Sequence, residues 1–349
     1  MYLSPRALRA DHFGLLAVGV AAAASLWILL LRFQPANPMS VGVLIWWTGL
    51  CTVSVFNIWE WRRTAAALAR RKPVCRPGVY LYQRRQLLLS AVYVLGCAFR
   101  SILPRADVQR IGLLDSWVSS VLVGRSVATV AEMCFVAQWA LLLHQIAREA
   151  GSRPGILVSW LLVPLIVTAE ICSWYAVLTT SYLGNAFEES LWALSGLLVV
   201  ISSVALWPRC LPAFRPLLTA AMLLGAAYVT YMGTVDIPMY VSRWQADEAR
   251  GREYLSLSQG FQDVRSRWSV TFAWEVWRTE IPWMSLYFSV GVWCSIALVH
   301  APGWLQQKLE QRTWNPNARG PVPVPLDPSS GGPGPAGPPH TRFLRWIWF

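Results

Sequence analysis

Apolar runs of about twenty residues alternate with short polar stretches along most of the chain. A run of that length crosses the ~30 Å hydrocarbon core of a bilayer as one helix. The pattern therefore predicts an all-α, polytopic transmembrane bundle of about eight spans, near residues 13–32, 41–59, 86–103, 117–145, 156–178, 190–207, 217–236 and 283–300. The third and sixth runs lie near the lower length limit, which leaves seven spans as the alternative. The first run follows the basic "MYLSPRALR" and has no small-residue cleavage site behind it, so it reads as a retained signal anchor.

Two stretches break the alternation. Residues 239–282 form a long, Trp-rich extracytoplasmic segment between the last two spans. Within it Tyr254, Leu257, Phe261, Val264 and Trp268 recur at spacings of 3 and 4, which predicts an amphipathic helix over the mouth of the bundle or on the membrane face. Gly260 counts against that helix, and "WSVTFAWEVWRTE" fits strand and helix spacing equally. Beyond residue 303 the chain becomes Pro- and Gly-rich, so a transmembrane bundle of 1–303 is expected to be followed by a disordered cytosolic tail of 304–349. The tail ends in the basic, aromatic "TRFLRWIWF", which suits a membrane interface or a protein partner.

Composition agrees with a membrane protein: 55% of residues are hydrophobic, only 14% are charged, and the mean hydropathy is +0.40. The net charge of +12 raises nucleic acid as a partner, and the placement of the charges argues against it. With eight spans, nineteen of the thirty Lys and Arg fall on the side that holds both termini and eight on the other. That bias puts both termini in the cytosol of a plasma membrane or endomembrane, with membrane lipids as partners. All seven cysteines fall in spans or in cytosolic loops, so no disulfide is expected. Many of the 21 tryptophans, among them Trp46, Trp47, Trp117, Trp160, Trp174 and Trp207, flank spans as interfacial anchors would.

Motif chemistry is sparse. The chain has no CxxC pair, no clustered histidines, no P-loop, no GxGxxG turn and no GxSxG elbow, so neither a metal centre of Cys/His spacing nor a cofactor is expected. What remains is charge inside the spans. Arg125 and Glu132 share one helix face two turns apart, with Thr129 about 40° away. Arg100 and Glu170 lie within the third and fifth runs. An unpaired charge at mid-bilayer costs ~2.5–3.5 kcal/mol, so these four are expected to pair with one another inside the bundle. Asp115 and Asp236 belong to the outward end, and the helix carrying "GTVDIP" is expected to end or break at Asp236.

This pattern suits an outward-facing charged cavity that binds, and could translocate, a small polar or zwitterionic solute or protons. Arg100 and Arg125 would hold an anionic group, Glu132 and Glu170 would serve as counter-ions or proton carriers, and Asp115 and Asp236 would line the mouth. Two other readings fit the same residues: an enzyme acting on a lipid or lipid-linked substrate through carboxylates, and a non-catalytic receptor or subunit. A static helix-packing clamp would also account for the paired charges.

Overall fold

The computed structural model describes residues 40–71, 77–210 and 214–301. The expected signal anchor and the expected disordered tail lie outside the described residues, as does Cys75; the other six cysteines are free.

Five long helices come first: α1 (Val41–Arg71), α2 (Pro77–Ile102), α3 (Val121–Glu149), α4 (Arg153–Thr179) and α5 (Tyr182–Leu206). Next, α6 (Arg215–Tyr231) passes through a π turn, Met232–Asp236, into α7 (Ile237–Ala249). α8 (Leu257–Ser266) and the single turn α9 (Trp274–Trp277) follow. Finally α10 (Ile281–Leu286) enters a second π turn, Tyr287–Gly291, and the helix resumes to residue 301.

Six helices among the described residues are long and apolar enough to cross a membrane: Val41–Arg70, Val121–Glu149, Arg153–Thr179, Tyr182–Leu206, Arg215–Ala249 and Ile281–Ala301. α2 coincides with the third predicted span but is not one of the six, because Gln83, Arg84, Arg85, Gln86 and Arg100 dilute its apolar character.

Consecutive helices pack side by side from α1 to α6, and the last helix lies against α1 and α2. The helices are apolar nearly all round, and their inner faces mix large apolar side chains with polar ones. In α1 the buried positions are Val43, Leu44, Trp47, Leu50, Ser54, Asn57, Thr64 and Leu68, while Val41, Ile45 and Phe56 face outward. α4 and α5, joined by only Thr180 and Ser181, cross closely. A side chain at Gly184 would put its Cβ 2.6 Å from the Cys172 carbonyl oxygen, so the two backbones touch there. Glu188, one turn further along α5, is thereby held against α4.

At the end of the bundle where α2 finishes and α3 starts, a cap is built from two distant pieces of chain. Residues 105–106 (β1) pair antiparallel with 111–112 (β2), and Ser269–Val270 (β3) adds parallel to β2. The ambiguous "WSVTFAWEVWRTE" thus divides into a short strand and the turn α9. The amphipathic helix exists as α8, opened by a Ser256–Gln259 capping box.

The buried face of α8 differs from the predicted stripe. Leu257 and Phe261 are more than half or half exposed, whereas Gly260 and Val264 are buried. Gly260, which the pattern counted against the helix, sits directly on the Leu178 carbonyl, where any Cβ would collide. Propensity disfavours the glycine; contact requires it.

Two further expectations are corrected. The seventh span does not end or break at Asp236. Pro238 has no N–H and its ring would strike the carbonyl four residues back, and the wider π turn just ahead of it takes up that mismatch so the helix continues to Ala249. Several indoles expected at the interface are structural instead. Trp47 is fully buried and donates to the Ile102 carbonyl at 3.1 Å, Trp46 donates to Ser285 at 3.0 Å, and Trp174 donates to Thr129 at 3.1 Å. Trp117 is 64% exposed.

Candidate functional site

Three of the four intramembrane charges meet. Arg125 and Glu132 project from one face of α3, as their spacing requires, and Glu170 faces them from α4. Arg125 Nη2 lies 2.7 Å from Glu170 Oε2 and 3.3 Å from Glu132 Oε2. A third carboxylate, Glu188 on α5, completes the set with its Oε1 at 3.1 Å from the same nitrogen. None of the four residues exceeds 7% exposure.

Polar neighbours orient the carboxylates. Thr129 donates to Glu170 Oε2 at 2.6 Å and itself accepts from Trp174. Tyr287, the first residue of the second π turn, donates to Glu132 Oε1 at 2.9 Å. Asn185 Nδ2 donates to Glu188 Oε2 at 3.0 Å. Each carboxylate is therefore fixed by the guanidinium on one oxygen and, for Glu132 and Glu188, by a neutral donor on the other.

Arg100 is not part of this set. It turns to Asp107 in the cap, 3.5 Å from Oδ2. The expected two-plus-two pairing fails because the cap supplies Arg100 with a nearer anion and α5 supplies Arg125 with a third. Asp115 accepts from Trp268 Nε1 at 3.2 Å on the exposed rim. Asp236 closes the first π turn, half-buried and within electrostatic reach of Arg243 and Glu280 rather than bonded to Arg125.

The cap holds its own buried ion pairs. Arg105 Nε stands 3.0 Å from Asp107 Oδ1, and its guanidinium donates to the carbonyls of Ser119, Ser120 and Val121 at the start of α3. Burial pushes Arg105 down to about 10; Asp107 opposes that shift, and Arg100, Arg110 and Arg125 add to it. Arg110 adopts a left-handed backbone (φ 58°), an uncommon choice for a side-chain-bearing residue. It donates to Asp263 Oδ2 and to the carbonyls of Asp107 and Val177, each at 2.6 Å. One side chain thus ties α8 to the end of α4. Leu255 N adds a bond to the Thr179 carbonyl at 3.1 Å.

The sequence leads one to expect an open cavity at the charges. In the structure the charges touch one another, beneath a cap of α8 and the small sheet packed on the ends of α3 and α4. A small pocket lined by Thr64, Ala67, Leu68, Gln83, Val299 and His300 lies at the opposite end of the bundle.

The apolar pattern starts the sixth span at residue 190, so it leaves Glu188 outside the span and not among the candidate partners. The helix starts at Tyr182, which puts Glu188 well inside. The available signal was Gly184, four residues earlier on the same face. Arg105, Arg110 and Asp263 left no signal, since their partnerships join residues up to 153 positions apart.

Chemically, the cluster contains three carboxylates and one guanidinium, two formal negative charges in excess. Helix interiors offer no spare backbone N–H to absorb that excess. The set can take up positive charge. Compared with known protein families, with curated proteins and with solved structures, the chain matches none.

Proposed function

We propose that this protein is a multi-pass membrane protein of eight spans, with both termini cytosolic, that binds protons at the Glu132–Glu170–Glu188 cluster and carries them across the membrane. The observation that carries this reading is the ratio of three buried carboxylates to one buried guanidinium. Two unneutralised charges within the bilayer would each cost several kcal/mol, and protons remove that cost without new packing. The lopsided distribution of Lys and Arg supports the orientation, with the cap at the outward end and the basic residues at the end of α1 and the start of α2 inside.

This reading narrows the solute class suggested by the sequence. Arg125 is occupied by three carboxylates and Arg100 by Asp107, so the recognition chemistry favours cationic groups over anionic ones. Access from the outward end requires α8 to move, and its attachment through Arg110 gives that motion one defined anchor. Lipids around the bundle, and a protein bound by the 304–349 tail, remain the proposed partners.

The test is proton flux into liposomes containing the purified protein and a pH-sensitive dye under an imposed gradient. Wild type dissipates the gradient, and Glu132→Gln, which still reaches the membrane, reduces flux to the protein-free background. Normal flux in Glu132→Gln refutes the assignment and leaves the cluster as a static packing clamp.

A further inference from the structure

We propose that the same cluster is a site for one divalent, oxygen-preferring metal cation, held by Glu132, Glu170, Glu188 and the amide oxygen of Asn185. The inference rests on the reading that the cluster takes up positive charge, and it names a second species that the cluster takes.

Geometry supplies the donors. One carboxylate oxygen from each glutamate lies within 4.8 Å of the other two, as a shared cation requires. Arg125 takes only one oxygen of each: Oε2 of Glu132, Oε2 of Glu170 and Oε1 of Glu188. Of the remaining oxygens, Glu132 Oε1 meets Tyr287 and Glu188 Oε2 meets Asn185. Glu170 Oε1 has no hydrogen-bond partner, although Glu170 is only 4% exposed.

Asn185 provides an independent sign. It is 8% exposed, its amide lies against Glu188, and its Oδ1 also has no partner. Two buried acceptors without donors, one a carboxylate and one an amide, are costly beside an anionic cluster. A half-turn of the amide brings Oδ1 toward Glu188. Two acceptors tolerate that approach only with a positive charge between them.

Charge and ligand type identify the cation. Three carboxylates and a guanidinium sum to two negative charges, which one divalent cation neutralises and a monovalent cation does not. The donors are all oxygen, with the Tyr287 hydroxyl alongside, and this set suits Mn²⁺, Mg²⁺ or Ca²⁺ rather than thiolate- or imidazole-seeking metals. Sequence spacing could not reveal such a site, because its donors stand on three different helices.

The experiment is calorimetric titration of the full-length protein in nanodiscs with Mn²⁺, Mg²⁺ and Ca²⁺ separately at neutral pH. At least one metal is expected to saturate a single site. Glu188→Gln and Asn185→Ala are each expected to weaken that metal's affinity at least tenfold. No saturation by any of the three at millimolar concentration overturns the inference, as does saturation with affinity unchanged in both variants. Wild-type titration decides the matter even if a variant fails to fold. Glu132-dependent proton flux with no metal binding overturns the metal site alone; absence of both overturns the proton reading as well.

Discussion

The cap and the inner cluster are both buried and both ion-paired, yet they solve opposite charge imbalances by different means. In the cap, Arg100, Arg105 and Arg110 face Asp107 and Asp263, a surplus of cations. The surplus donors are absorbed by main-chain carbonyls, those of Ser119, Ser120 and Val121 for Arg105 and those of Asp107 and Val177 for Arg110. Helix ends and loops present such carbonyls freely, and each has two lone pairs. The inner cluster has a surplus of anions and sits where every backbone N–H is committed to its helix. A buried arginine in excess can be satisfied by the fold itself; a buried glutamate in excess must recruit something mobile.

That contrast can be broken at three points. Arg125→Ala should have the largest effect, about 3–5 kcal/mol of lost stability, because three carboxylates then share no counter-charge. Denaturant unfolding in bicelles measures it, and a loss below about 1 kcal/mol would mean that protons already neutralise the cluster without the guanidinium. Arg110→Ala should cost less, about 2–3 kcal/mol, since the orphaned groups lie near solvent-accessible loops. Hydrogen exchange should quicken in α8 while α3 to α5 stay protected; uniform quickening would mean that cap and bundle open as one unit. Phe261→Ala should be smallest, within about 0.5 kcal/mol, because the ring is half exposed. A larger loss would restore the predicted apolar stripe as the packing face of α8.

Much of the architecture was legible in the chain. Helices occupy all seven predicted spans that fall within the described residues, because twenty apolar residues in oil have one way to satisfy their backbone. The shared face of Arg125, Thr129 and Glu132 was legible too, since it follows from helical geometry within a single element. Boundaries were less legible. The start of α5 at Tyr182 and the continuation past Asp236 both depend on residues that look like helix ends when read alone.

By itself, the sequence determined that this chain folds as apolar helices and that charges buried among them had to find partners, because both demands arise from the cost of an unsatisfied group in hydrocarbon. Only the tertiary structure decided which partners. Arg100 went to Asp107 and Arg125 to Glu188 as well as to its expected neighbours, a choice made by the close crossing at Gly184 and by the fold of the cap. Pairing of this kind is a contest among distances between separate elements, and those distances are set by how helices pack rather than by the order of residues along them.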